Sequence, residues 1–361
     1  MKKTGLIFKI LTSILCLTCL LSTVLLLNSC GKGTRKLEYT LNTEGTAYSV
    51  TDYKGSKANV TVPAEYKGLP VTSIGEEAFK GNETLKSITL PDSVETLGDK
   101  AFADCKNLET IDFPSTLKSI NFACFQNCAA LTEVTIPDGL TKLPVALFDG
   151  CSSLETVNLP ASLSSISYVS FIGCDNLENL TIAEGNTTYY SKDNCIIETA
   201  TKKLVVGAGN SVIPSDGSVT AIGEYAFYGK QMFTTLDLPE AVKVIESFAF
   251  FGCSELRYAR LAGVTEIGDD AFSDCHSFRY ILLPKTLKDL GASVFSKSIS
   301  LKNVYYLGTA AEWGSVSIKE TTAKQLETIN VNFYSETKPE TEGNFWHYGS
   351  DNTLVIWEKE Q

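Results

Sequence analysis

The sequence predicts a repeat solenoid, a stack of short coils that share one elongated core. Three observations carry the prediction. A leucine or phenylalanine reopens the same phrase nine times, at Leu85, Leu108, Leu131, Leu154, Leu177, Phe233, Leu256, Phe278 and Leu301. Neighbouring openers lie 23 residues apart, except for 56 before Phe233 and 22 before Phe278. Each phrase also keeps the same apolar places, as in LKSITLPDSVETLGDKAFADCKN (85–107) and LETIDFPSTLKSINFACFQNCAA (108–130). A fixed period in the range of about 20–29 residues marks a leucine-rich-repeat solenoid, curved, mostly β or α/β, with short parallel strands.

The first element, Leu37 to Pro63, alternates polar and apolar residues in LEYTLNTEGTAYSVTDY and KANVTVP. Two or three strands joined at 42–45 and 54–57 would cover the open end of the first coil, because a bare solenoid end exposes core and strand edges.

Within a repeat, Leu85, Ile88 and Leu90 alternate with polar residues, which predicts a half-buried strand. Pro91 removes a backbone donor and ends the pairing. Val94 and Leu97, with Gly98 behind them, predict a second extended piece and a turn. Ala101-Phe102 and Cys105 close the coil. No coil buries these side chains alone, so they stack into one parallel sheet with one short strand per repeat. Nine or ten strands at about 4.8 Å spacing would span about 40–50 Å.

The period breaks at 183–218, where TTYYSKDNCIIETATKKLVVG (187–207) reads as a hairpin with strands near Asn194–Glu198 and Lys203–Val206. We expect an enlarged coil from which this hairpin protrudes, with Leu204-Val205-Val206 supplying an extra strand to the stack. After Leu301 a helix near Thr322–Thr328 and a strand near Ile329–Tyr334 form a C-terminal cap. Trp346, His347, Tyr348 and Trp357 suggest an aromatic-rich extension, and whether it folds onto the cap is open. The organisation is therefore a leader (1–29), a tether and N-terminal β cap (30–65), the solenoid (66–307), a C-terminal cap (308–334), and a linker with tail (335–361).

The phrase L-x-x-I-x-L-P-x-x-V-x-x-I-G-x-x-A-F-x-x-C resembles the BspA-type leucine-rich repeat of bacterial surface proteins. The resemblance runs from YKGLPVTSIGEEAF (66–79) to VYYLGTAAEW (304–313) and extends to the tail YSETKPETEGNFWHYG (334–349). It implies an exported protein that adheres to extracellular-matrix or host proteins. Folds of this kind carry unrelated partners, so the ligand does not follow from it.

Lys2 and Lys3 precede an apolar run, Ile10 to Leu27, that ends in Leu27-Asn28-Ser29-Cys30, the order of a secretory signal. A cysteine directly after a small residue resembles the lipobox of bacterial lipoproteins, although Asn28 stands where Ala or Ser is usual. By that resemblance Cys30 is lipidated and anchors the protein to the outer face of the membrane. The alternative is an uncleaved anchor, since 18 residues from Ile10 to Leu27 can just span a bilayer. Loss of a leader bearing Lys2, Lys3 and Lys9 and no acid would take the formal charge from −11 to −14. So acidic a chain argues against nucleic acid as a partner.

The chain has 11 cysteines, which in an exported protein raises a disulfide framework. Position argues otherwise. Cys16 and Cys19 lie in the leader, while Cys105, Cys128, Cys151, Cys174, Cys253 and Cys275 hold one place in successive repeats. They should form a buried ladder of small hydrophobes. Cys124 replaces the Ala of Ala-Phe, and Cys195 lies in the enlarged coil. Cys124-x-x-x-Cys128 lacks the second pair or histidine that a zinc site needs, so no metal is expected.

The chain has two histidines, His276 and His347. No Ser-His-Asp set, phosphate-cradling loop or calcium loop is present. Asp269-Asp270 and Glu76-Glu77 fall in solvated turns. We expect no catalysis and no cofactor.

Function then rests on surface. The residues flanking each central Ile or Val are small and polar in the early strands, for example Thr110/Asp112 and Thr156/Asn158. They become Tyr258/Arg260, Tyr280/Leu282 and Asn303/Tyr305 in the last three, preceded by Arg257, Arg279 and Lys302. Tyr and Arg are enriched at binding hot spots, so this C-terminal third is the candidate binding face. The competing reading is that the tyrosines merely cover the cap. A lipid-anchored protein-binding surface protein is expected, with a glycan- or cell-wall-binding lipoprotein or an envelope spacer as alternatives.

Overall fold

The computed structural model describes residues 34–357 apart from Met232 and Glu342. The predicted leader and Cys30 lie outside the described residues. The chain forms a β-solenoid. Each regular coil contributes two short strands, so two parallel ladders run along the stack where one was expected.

The I-x-L segment gives the first strand, at Ser87–Thr89, Thr110–Asp112, Glu133–Thr135, Thr156–Leu159 and Asn179–Ile182, then Thr235–Leu238, Tyr258–Leu261, Tyr280–Leu283 and Asn303–Tyr306. Its central residue is buried and its neighbours face outward, as alternation requires. The Val94–Leu97 type of segment gives the second strand, as at Thr96–Leu97 and Ser119–Ile120, paired Thr96 to Ser119 and Leu97 to Ile120. Gly98, Gly268 and Gly291 follow these strands, and a Cβ there would sit 2.5–2.6 Å from backbone of the preceding coil. Coils can approach so closely only without a side chain.

The closing phenylalanines stack through the core. Phe79 to Phe102 is 5.2 Å between ring centroids, Phe102 to Phe125 is 5.3 Å and Phe125 to Phe148 is 5.8 Å. Beside them the ladder cysteines are buried and free. Each thiol donates to the carbonyl of the preceding coil's phenylalanine: Cys105 to Phe79 at 3.0 Å, Cys151 to Phe125 at 3.1 Å, Cys253 to Phe227 at 3.2 Å. Ser298 takes the last rung and donates to Phe272 at 2.8 Å. Burial pushes the thiols of Cys105, Cys174 and Cys253 up to about 12.

The hairpin in the enlarged coil does not protrude. Tyr189–Lys192, Cys195–Glu198 and Lys203–Gly207 pair antiparallel, and the last continues the second ladder by pairing with Ala221–Ile222. Ile196 joins one hydrophobic cluster while Cys195, Ile197 and Leu204 join another, so the hairpin is the wall between two cores. Alternating apolar residues on both faces produce this placement. The following Ser211-Val212-Ile213-Pro214 stands where I-x-L-P stands elsewhere, a degenerate coil concealed in the long interval.

At the N-terminus, Leu37–Leu41 and Tyr48–Tyr53 form an antiparallel hairpin laid on Leu69–Ile74. Asn42 Oδ1 accepts from the Thr46 and Ala47 amides to fix its turn. At the other end, helices Ala310–Trp313 and Glu320–Leu326 precede strand Asn330–Tyr334. The first helix starts with a capping box between Thr309 and Glu312.

Candidate binding surface

The outward residues of the first strands divide into two regions. In the earlier coils they bond to one another: Asn158 Nδ2 to Thr135 Oγ1 at 3.2 Å, Thr181 Oγ1 to Asn158 Oδ1 at 2.8 Å, and Lys86 to Glu109 at 2.7 Å. Such a face satisfies its own polar groups.

In the later coils Tyr258 and Tyr280 stack at 5.2 Å with planes 2° apart, and Tyr305 meets Tyr280 edge-on at 5.7 Å. The parallel register, Tyr258 opposite Tyr280 and Arg260 opposite Leu282, aligns them. Arg260 Nε lies 3.3 Å from Asp237 Oδ1 in a well-exposed pair, worth little to stability. Arg257, Arg279 and Lys302 are exposed beside this row.

Two of the expected face residues are not open. The tail folds back: Phe345–Tyr348 pairs in parallel with Asn330–Tyr334, and Leu354–Ile356 returns antiparallel. Trp346 is fully buried, packs on Tyr305 at 5.6 Å, and donates to the Tyr306 carbonyl at 3.2 Å. It forms a third apolar cluster with Leu282 and Tyr305, which are therefore covered. Tyr305 thus packs against the returning tail, while Tyr258 and Tyr280 stay half-buried. What remains accessible is a cleft of about 400 Å³ between Tyr258, Arg260 and Tyr280 of the solenoid and Tyr348, Asn352, Thr353 and Leu354 of the tail. Burial and the neighbouring phenol of Tyr258 raise the Tyr280 hydroxyl above its ordinary range, so it stays a protonated donor.

The BspA type leucine rich repeat region family matches residues 72–196 and 209–338, in six copies. The chain belongs to the BspA-type leucine-rich-repeat family. The second matched stretch opens at the degenerate coil around Ser211. A leucine-rich repeat protein from Eubacterium ventriosum is 18% identical, over 88% of this chain and 92% of its own, with a TM-score of 0.61. The pneumococcal vaccine antigen PcpA is also 18% identical, over 84% and 93%, with a TM-score of 0.55. A leucine rich cell surface protein from Faecalibacterium prausnitzii is 22% identical over 80% and 98%, with a TM-score of 0.48. No curated protein matches the chain. The first two structures show that this BspA-type chain shares their fold.

The histidines of this BspA-type protein make local contacts. His276 lies 3.3 Å from Asp274, and His347 stacks on Trp357 at 3.8 Å. Among the described residues no three His, Cys, Asp or Glu side chains are grouped to hold a metal ion.

Sequence reasoning missed Lys230. It occupies the ladder place of cysteine, is 2% exposed, and its ammonium donates to the Cys174 carbonyl at 2.5 Å. The signal was present: Phe227-Tyr228-Gly229-Lys230 matches Phe171-Ile172-Gly173-Cys174 position for position.

Proposed function

We propose that this is an exported, lipid-anchored binding protein that holds an extracellular or host protein through the tyrosine cleft at the C-terminal end of its strand face. One observation carries the reading. The cleft is the place on that face where aromatic rings, a guanidinium and a second structural element converge, whereas the rest satisfies its own polar groups. Tyrosines give large contact area at low entropic cost and Arg260 adds planar hydrogen bonding. The basic row of Arg257, Arg279 and Lys302 on an acidic chain favours an acidic partner.

Family membership supports a surface interaction role in general, and the leader that precedes Cys30 supports export. A saccharide is a second reading, favoured by the aromatic wall and the polar tail residues Asn352 and Thr353. We infer binding rather than catalysis. An array of extracellular proteins and glycans probed with the purified chain tests this: a protein hit lost on Tyr258→Ala supports the first reading, a glycan hit the second. Hits untouched by that substitution count against both. Anchoring is tested separately. Cys30→Ala should abolish lipid attachment and alter processing, and unchanged processing with retention in the membrane would favour the uncleaved anchor.

A further inference from the structure

We propose that the edge formed by the closing turns is a second docking surface, fitted to a protein partner that presents apolar side chains ringed by lysine or arginine. A repeat protein supplies its own controls, because one position recurs in every coil. The two residues before the Ala-Phe pair are Glu76-Glu77, Asp99-Lys100, Asp269-Asp270 and Ala292-Ser293 in the outer coils. In the middle coils the same places hold Phe122-Ala123, Val145-Ala146, Tyr168-Val169, Glu224-Tyr225 and Ser247-Phe248. Phe122, Val145 and Tyr168 are 43%, 49% and 47% exposed. The coil folds with charged or small residues there, so the fold does not ask for these rings.

The backbone sharpens the point. The second residue of the doublet is left-handed, with φ of 51° at Lys100, 53° at Asp270, and 58° at both Tyr225 and Phe248. Asp and Asn tolerate that conformation, while a bulky aromatic side chain is an outlier in it. Tyr225 and Phe248 are half-buried there, and strain kept at a surface position points to a use for the side chain.

Tyr168, Tyr225, Phe248, Tyr228 and Phe251 form one continuous patch. Tyr168 stacks on Tyr225 at 5.3 Å and Tyr225 on Phe248 at 5.0 Å, with planes 6° and 9° apart. A second row, Tyr228 on Phe251 at 4.9 Å, lies beside the first. The patch thus runs unbroken over the joint where the core divides. Exposed apolar patches with polar rims mark protein interaction sites.

The rim defines the partner. Burial raises the hydroxyls of Tyr225 and Tyr228, and the negative charges of Glu224 and Asp270 beside the first and of Asp274 and Asp149 beside the second raise them further. These carboxylates favour basic residues opposite and disfavour a second copy of this acidic chain. Because the rings cover one another's faces and turn their edges outward, the row suits side-chain packing better than sugar stacking, which needs open faces.

The test pans a random peptide library on the full chain, with Tyr225→Asn/Phe248→Asn as comparison. Asparagine suits the left-handed backbone, so this variant should unfold no earlier than the parent. Enriched peptides should combine aromatic residues with Lys or Arg. They should bind the Asn variant about tenfold more weakly or worse, yet bind the cleft variant Tyr258→Ala as they bind the parent. Peptides that bind parent and Asn variant alike, or a selection that enriches none, would overturn the proposal. So would an Asn variant that melts well below the parent, since the rings would then be structural.

Discussion

The Lys230 ammonium reaches the carbonyl of Cys174 at 2.5 Å, across 56 residues of chain and across the boundary between the two hydrophobic cores. Elsewhere a thiol spans one coil to a phenylalanine carbonyl. Here the inserted coil lacks a Phe-x-x-Cys closing turn, so the rung must be longer, and a lysine supplies both the apolar stem and the donor.

Lys230→Ala should therefore destabilise the protein by about 3 kcal/mol, through lost packing of the buried stem and loss of the hydrogen bond to the Cys174 carbonyl. Burial lowers the lysine's pKa in the folded state. The folded chain then binds protons less readily than the unfolded one, so protonation costs stability as pH falls through the folded pKa. Measured against Lys230→Met by urea unfolding, the parent should gain ground as pH rises toward the unfolded lysine's pKa of about 10.4. A pH-independent difference would contradict this.

The ladder thiols predict an order of substitutions. A hydroxyl in an apolar slot would ordinarily be costly, yet each rung offers a carbonyl, and Ser298 already uses one. Cys151→Ser should cost about 1 kcal/mol or less, and Cys151→Ala more, because it removes the side-chain donor to the Phe125 carbonyl and leaves a small cavity. Denaturant midpoints give the order, and the reverse order would contradict it. Thiol reagents should label these cysteines only after unfolding, since buried neutral thiols are inert.

Trp346 seals the C-terminal end. Trp346→Ala should cost about 3 kcal/mol or more and expose Leu282 and Tyr305, which fluorescence of a dye that binds apolar surface would report. Unchanged stability would mean that the tail is not a cap.

The coil was legible in the sequence because its Leu, Ile, Phe and Cys recur at fixed places and are buried for that reason. The hairpin strands near Cys195–Glu198 and Lys203–Gly207 were legible from their alternation. Their depth was not, since alternation says that two faces differ and not what covers them. The covering of Leu282 and Tyr305 was hidden for the same reason, because it depends on Trp346 returning from about 40 residues away. The degenerate coil at Ser211 escaped because serine and valine replaced its marker residues. The helix at Ala310–Trp313 could have been found from Thr309-x-x-Glu312, whose capping-box spacing is visible. The closing-turn rings lie outside the strands, in the column before Ala-Phe, where no hydrophobic periodicity marks them.

Binding through the cleft between the solenoid and its tail would concentrate the energy in a few aromatic side chains. The most direct measurement is the affinity of the Tyr258→Ala/Tyr280→Ala double variant for a partner identified on the array, set beside Thr110→Ala/Thr156→Ala on the polar part of the same face. The cleft variant should lose about 2 kcal/mol or more, roughly thirtyfold in Kd, while the control binds as the parent does. Equal affinity in parent and cleft variant, with both folded, would contradict the claim.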